Sequence, residues 1–292
     1  MLTPPHDLDE RLVVAAFGVG PLTYEPVGWG SHHWSTTDKA YFVTVDEVAD
    51  DRDYERLRRA LDVAAALAKP FVVAPLRPLR RVGERYAAAL YAYIEGQSFG
   101  FGPWPSASHR AAVLDMLVEV HTSAPRDAAA DDFAVTHRSS LDVTEAGTAG
   151  PFTQRAVALV NEHAAPIRGL LRRYDALVAQ VDRSRAVVTH GEPHPGNTML
   201  AGDGWKLIDW ETALLAPPER DLWLVGGDLK AWTDATGIEV VPAMLELYRL
   251  RWQLNDLCVD LHRFLRPHTG SADDVETWKL MQADVLAVTN GT

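Results

Sequence analysis

Apolar positions change rhythm partway along the chain. Up to about residue 95, short β-favouring runs alternate with turns; beyond about residue 106, apolar residues recur at helical spacing. Thr23 to Val27 and Tyr41 to Val45 read as strands, separated by the loop Gly28-Trp29-Gly30-Ser31-His32-His33. From Asp53 onward, Tyr54, Leu57, Leu61, Ala64 and Ala68 share one helical face, and Pro70 ends that helix. Phe71 to Ala74 and Arg85 to Ile94 read as extended. Gly96, Gly100, Gly102, Pro103 and Pro105 then break any regular element and predict a link between two parts of the protein.

Helices dominate after the link. Ser106 or Ser108 caps one that carries Val113, Leu117 and Val120, and another spans about Pro151 to Asp182. Between them, Arg126 to Gly150 is polar, acidic and Ala-rich, and reads as a mobile connection. Residues 241–265 are apolar on two faces, with Met244, Tyr248 and Trp252 on one and Leu247, Leu250, Leu254 and Leu261 on the other. Such a helix is buried from more than one side. One segment departs from helical rhythm: VVTHGEPHPGNTMLAGDGWKLIDWE, from Val187 to Glu211. Val187-Val188-Thr189 is extended, and Pro193, Pro195 and Gly196 forbid a helix after it. Thr198 to Leu200 and Trp205 to Ile208 form a predicted hairpin around Gly202-Asp203-Gly204. The pattern as a whole is α+β, with strands first and helices after.

Composition narrows the class of protein. The chain has 292 residues, 47% hydrophobic and 23% charged, ordinary for a globular protein. A net charge of −12 argues against nucleic acid or an anionic membrane as partner; it is compatible with a cationic small molecule, although acidity for solubility alone is the stronger explanation. The single cysteine, Cys258, lies among Leu254, Leu257 and Leu261 and reads as a small buried hydrophobe. No intrachain disulfide is possible, which fits a reducing cytoplasm. The first residues, MLTPPHDLDERL, carry no signal-peptide pattern. No run reaches the roughly 18 apolar residues of a membrane span.

The predicted hairpin carries the chemistry. Asn197 and Asp209 lie symmetrically about Asp203, so antiparallel pairing brings them near each other at its open end. An amide oxygen beside a carboxylate is a hard-ligand pair suited to Mg²⁺, which keeps waters and takes phosphate oxygens as well. Glu192, on the loop entering the hairpin, is placed to reach the same pocket as a proton acceptor.

HGEPHPGN followed by LIDWE resembles the catalytic loop and metal motif of the aminoglycoside phosphotransferase and choline kinase superfamily, relatives of protein kinases. PPERDLW extends the resemblance into the next helix. It implies a two-lobed protein-kinase-like fold: a small β-rich nucleotide-binding lobe over residues 1–95, a hinge or linker over 96–105, and a helical lobe over 106–292. By that resemblance Asn197 and Asp209 bind Mg²⁺, Glu192 takes the catalytic-base position, and His190 and Asp221 brace the loop. The implied reaction moves the terminal phosphoryl group of ATP or GTP to a hydroxyl of a small molecule, with aminoglycosides, amino sugars and amino alcohols as candidates. Gly28, Trp29, Gly30 and Ser31 sit where a phosphate-covering loop belongs, although an ordinary strand-connecting turn explains them equally well. Tyr93 and Glu95 sit where the interlobe hinge holds adenine. Trp210, Glu211, Asp228 and Trp232 follow the metal motif and are candidates for a substrate pocket; for the indoles, core packing is the competing explanation.

Two positions depart from the family pattern. Glu192 stands where Asp is usual, one methylene longer, and a shift of about 1 Å can cost about a hundredfold in rate. Thr44 stands where the phosphate-binding lysine belongs. Lys39 is at an odd offset from it and points to the opposite face of an unbroken strand. The helix glutamate that pairs with that lysine, Glu55 by position, then lacks its partner, and Arg58, His32 and His33 are alternative sources of positive charge. These departures motivate a second reading, a catalytically weak or inactive relative that binds a ligand or partner. A third reading, a zinc site built on His190, Glu192 and His194, fits the tight Pro- and Gly-containing loop less well.

Overall fold

A computed structural model describes residues 1–124, 127–145 and 147–290, with Thr289 and Asn290 described by backbone alone. Helix α1 (Glu10–Phe17) opens the chain, its first turn capped by Asp9, whose side chain accepts from the N–H of Arg11. Strands β1 (Leu22–Glu25), β2 (His32–Thr36) and β3 (Tyr41–Glu47) follow, then α2 (Asp51–Leu67), β4 (Arg80–Val82) and β5 (Tyr86–Ala92). They form one antiparallel sheet in the order β1-β2-β3-β5-β4. Strand alternation gives the sheet two apolar faces. Val43, Val45, Val82 and Leu90 pack with Val13 and Phe17 of α1, while Ala87, Ala89 and Tyr91 pack with Leu57 and Leu61 of α2. Truncating Leu61, which is 3% exposed, to Ala should cost about 2–5 kcal/mol.

The remaining elements are β6 (Gly96–Ser98), α3 (Ala107–His121), α4 (Thr153–Glu162), α5 (Ala164–Val178), β7 (Val187–Thr189), β8 (Thr198–Ala201), β9 (Gly204–Leu207), β10 (Leu214–Ala216), α6 (Glu219–Val225), α7 (Lys230–Thr236), α8 (Pro242–Leu265) and α9 (Ala272–Asn290). Ser106 caps α3, accepting from the N–H of His109. Strands β6, β8 and β9 make a three-stranded sheet, and β7 pairs with β10. The chain divides into two compact units. One contains Met1–Asp131 and Arg183–Val240; the other contains Asp132–Asp182 and the chain from Val241 onward. The first therefore holds both the five-stranded sheet and the 187–211 segment. The second is helical, its core built from Phe152, Val157, Ile167, Leu257, Leu261, Phe264, Met281 and Val285. These units cut the chain differently from lobes bounded at residues 95 and 106.

Several sequence expectations are corrected. His32 and His33 begin β2 rather than ending a loop. The linker contains a strand, because Gly96–Ser98 pairs with Met199–Ala201. A Cβ on Gly96 would lie 2.8 Å from the carbonyl oxygen of Leu200, so this glycine admits a neighbouring strand instead of breaking one. The helix expected over 151–182 is two helices that meet at His163. Arg126 and Ala146 of the expected mobile connection lie outside the described residues. Much of the rest is anchored: Ala130 bridges to Leu215, Arg138–Asp142 forms a 3₁₀ turn, and Asp131 and Phe133 are 2% and 5% exposed. Among the described residues, no helix is long and apolar enough to cross a membrane.

Candidate active site

The hairpin pairs Thr198 with Leu207 and Ala201 with Gly204, leaving Gly202 and Asp203 as a two-residue turn. This register is one position off the symmetric pairing about Asp203. Asn197 therefore faces Ile208, whose N–H donates to the Asn197 carbonyl at 3.0 Å. In a continuing strand the next side chain, that of Asp209, would turn to the other face. Asp209 instead takes a left-handed backbone, φ 67°, and its carboxyl lies near enough to the Asn197 side chain for that amide to pull its pKa down against the other influences. The Asn197 amide also donates to the Glu192 carbonyl at 3.0 Å, tying the two ends of the 192–197 loop. Pro195 and Asn197 form a 3₁₀ turn there, with Asn197 buried.

Below this loop lies a buried brace. Asp221, at the start of α6, is 0% exposed and accepts from the N–H groups of His190 and Gly191 at 2.9 and 2.6 Å and from His121 Nε2 at 2.9 Å. Burial alone would raise the Asp221 carboxyl, but the His121 hydrogen bond and the adjacent Arg220 guanidinium hold it below the usual range. Arg220 donates to Thr189 Oγ1 and to the Thr212 carbonyl, and Thr212 donates to the His190 carbonyl. Gly191 has φ 105°, and a Cβ there would lie 2.4 Å from both Arg220 and Thr212, so only glycine fits. His121, Thr212 and Arg220 were not singled out from the sequence; a polar residue on an otherwise apolar helical face is the one signal His121 offers.

Both ring nitrogens of His190 are engaged: Nε2 faces the Ile208 carbonyl at 2.8 Å and Nδ1 faces the Glu192 N–H at 3.1 Å. Burial pushes this imidazole down to about 4, so it is neutral. A zinc site through either nitrogen of His190 would break one of these contacts. Among the described residues, no group of three or more His, Cys, Asp or Glu side chains is placed to hold a metal. The residues do fit Mg²⁺ held by two protein oxygens, from Asn197 and Asp209, with water and phosphate completing the shell.

Acidic groups crowd this site. Asp209 is open to solvent yet ringed by protein atoms; loss of solvation, then the charges of Glu192 and Asp46, push its carboxyl up to about 7. Glu192 is raised by burial against the opposing pull of Arg220. Glu211 is raised by burial and by Asp46 and Asp209. Ser31 links this group to the glycine-containing loop, donating to Asp46 Oδ1 at 2.5 Å and lying 3.4 Å from Glu211 Oε2. Asp46 was missed in the sequence, although strand alternation puts it on the face of Thr44. Such crowding of carboxylates calls for a cation.

The other candidates divide. Gly28 and Gly30 have φ 70° and 93°, Trp29 is 45% exposed at the loop tip, and Ser31 is buried against Asp46. Tyr93 donates its backbone N–H to the Ala40 carbonyl at 3.1 Å, so a purine contact from Tyr93 would use its carbonyl; Glu95 is exposed. Trp210 and Trp232 are corrections: both are 1% exposed, Trp210 donating to the Leu207 carbonyl and Trp232 packing on His121, so neither lines a substrate pocket. Asp228 is exposed and accepts from the Lys230 N–H. Thr44 is buried mid-strand opposite His33 and Ala89. Lys39 is held in the β2–β3 turn by Glu25 and Ser35. Glu55 is bound by Arg58 and Arg59 of its own helix, so it does not lack a partner. His33 faces the Val27 carbonyl and is pushed down to about 4 by burial, so neither it nor Arg58 supplies free positive charge.

Residues 23–268 match the model of the phosphotransferase enzyme family. Protein StrN of Streptomyces griseus is 29% identical over 241 residues, covering 72% of this chain and 70% of StrN. Among solved structures, spectinomycin phosphotransferase APH(9)-Ia, in complex with ADP and spectinomycin, superposes with a TM-score of 0.71 at 17% identity, covering 96% of both chains. Choline kinase LicA from Streptococcus pneumoniae gives 0.54 at 15% identity, covering 95% of this chain and 98% of that one. The fold is thus the two-part, sheet-then-helices architecture of the protein-kinase-like phosphotransferases.

Proposed function

The chain belongs to the phosphotransferase enzyme family, and from that premise we propose that it transfers the terminal phosphoryl group of ATP or GTP to a hydroxyl of a small, amine-bearing molecule. The observation that carries this reading is the meeting of Asn197, Asp209 and Glu192 at the open end of one hairpin. Glu192 accepts the acceptor's hydroxyl proton as its oxygen attacks the terminal phosphorus. The phosphorus–oxygen bond to the leaving nucleoside diphosphate breaks as the new one forms. Asn197 and Asp209 hold Mg²⁺, which when bound neutralises charge on the phosphate oxygens. Asp221 keeps the loop in register, so Glu192 and Asn197 meet the reactants without reorganisation. The acceptor class is supported by spectinomycin, the ligand bound in the APH(9)-Ia complex, and is compatible with the protein's net charge of −12. The site itself lies in a cytoplasmic protein with no nucleic-acid partner on this reading.

A second reading, a weak or inactive relative that binds without transfer, is favoured by Thr44 at the lysine position. Consumption of ATP and GTP across a panel of aminocyclitols, amino sugars and amino alcohols separates the two. Turnover dependent on both Mg²⁺ and acceptor supports transfer. No turnover, with no rise in melting temperature on adding nucleotide and Mg²⁺, removes it.

A further inference from the structure

The lysine usually found on β3 and the glutamate usually found on the following helix form an ion pair that positions nucleotide phosphates. In this protein the strand position carries Thr44, while the helix keeps a glutamate, Glu55, that lies off the stripe packed on the sheet. On β3 the face that carries Thr44 also carries Asp46, which accepts from Ser31 of the glycine-containing loop. That face is covered by α2. Along α2, Ala60, Val63 and Leu67 are 2%, 1% and 6% exposed and form a stripe against the sheet. Arg56 falls on the same stripe one turn earlier, at the rim where the burial ends. Glu55 falls on the stripe of Arg59, Asp62 and Ala66, which are exposed; Glu55 itself is half-buried and is held by Arg58 and Arg59. By helical spacing, Arg56 rather than Glu55 continues the stripe that lies against the sheet face bearing Asp46. Arg56 is exposed and, among the described residues, its side chain makes no hydrogen bond or ion pair, to its own helix or to Asp46, which leaves it available to a ligand, unlike Arg58 and Arg59. Its charge also acts on Asp46.

We propose that Asp46 of β3 and Arg56 of α2 form the strand–helix charge pair of the nucleotide site with reversed polarity, Arg56 being the side chain that contacts the nucleotide's phosphates. This rests on the phosphotransferase reading above. A guanidinium suits the role, since its fork of N–H donors matches phosphate oxygens.

The test measures binding of MgATP, MgADP and adenosine to the full chain by titration calorimetry. Arg56→Gln should weaken MgATP at least about tenfold, the loss of one charge-assisted contact, and leave adenosine unchanged. Arg56→Lys should recover part of the loss, and Arg59→Gln should bind like the parent. Asp46→Asn combined with Arg56→Gln should be non-additive. Arg56→Met, which keeps the apolar stem, serves if the Gln variant does not fold. Equal MgATP affinity in parent and Arg56 variants overturns the role of Arg56, and additivity overturns the pairing. A parent that binds no nucleotide at all overturns the phosphotransferase reading, and this inference with it.

Discussion

Asp221 lies 30 positions after Gly191 and accepts its backbone N–H at 2.6 Å. The same carboxylate takes the N–H of His190 and the Nε2 of His121, so three donors converge on one buried group. Asp221→Asn would turn an NH₂ toward donors and leave at least one unsatisfied. Loss of a buried charged network costs about 3–5 kcal/mol. The variant should show a clearly lower unfolding midpoint and a turnover that falls with it, because the loop carrying Glu192 starts at these donors. An unfolding midpoint equal to the parent's would show that the brace is dispensable.

Asp209 shares its surroundings with Glu192, Asp46 and Glu211. Asp209→Asn removes one of the mutually repelling charges and one of the two metal ligands. In chelator-treated protein, the variant should melt at a higher temperature than the parent. With Mg²⁺ present, it should lose the metal-dependent part of nucleotide binding. The paired outcome is the signature of a site kept unstable for function. A variant less stable than the parent without metal would show that the carboxylates do not repel.

The ribbon, the helix of residues 51–67 and the burial of residues 242–265 were legible because each repeats a period that its surroundings reinforce. What escaped depended on partners distant in sequence. Gly96 reads as a breaker until Leu200 is seen beside it. The turn is one residue tighter than symmetry about Asp203 implied, since Gly204 pairs with Ala201; a positive φ at Asp209 then restores the meeting with Asn197. Trp210 and Trp232 follow the metal motif in sequence, yet their indoles pack inward. Arg56 and Asp46 needed both a helical stripe and a strand face to be assigned, and neither period alone indicates that the two elements face each other.

In the helical unit, Asp260 of α8 is 7% exposed, and burial, followed by the charge of Asp284 on α9, pushes its carboxyl up to about 7. Its folded value thus lies above the unfolded value of 3.8. Stability from this group is fully present below about pH 4 and is lost as pH rises through about 7. Asp260→Asn should therefore behave like the parent near pH 4 and become the more stable protein above pH 7, by about 2–4 kcal/mol. Denaturant unfolding at pH 5 and pH 8 checks this: an advantage that does not grow between the two would contradict the buried-acid account.

Glu192 is the hardest test of the proposed chemistry, because its geometry and the family's usual residue disagree. Its carboxyl is raised by burial, which suits a proton acceptor working near neutrality. Glu192→Gln keeps size and hydrogen bonding but cannot take a proton. It should lower kcat by about 10²–10⁴-fold while nucleotide affinity holds. Glu192→Asp shortens the reach by one methylene in a loop fixed by Asn197 and Asp221, so it should lose up to about a hundredfold despite restoring the commoner residue. If Glu192→Asp instead turns over faster than the parent, the loop is built for Asp geometry and Glu192 is a weakened base. If Glu192→Gln retains full kcat, the proton goes elsewhere and the role assigned to Glu192 falls.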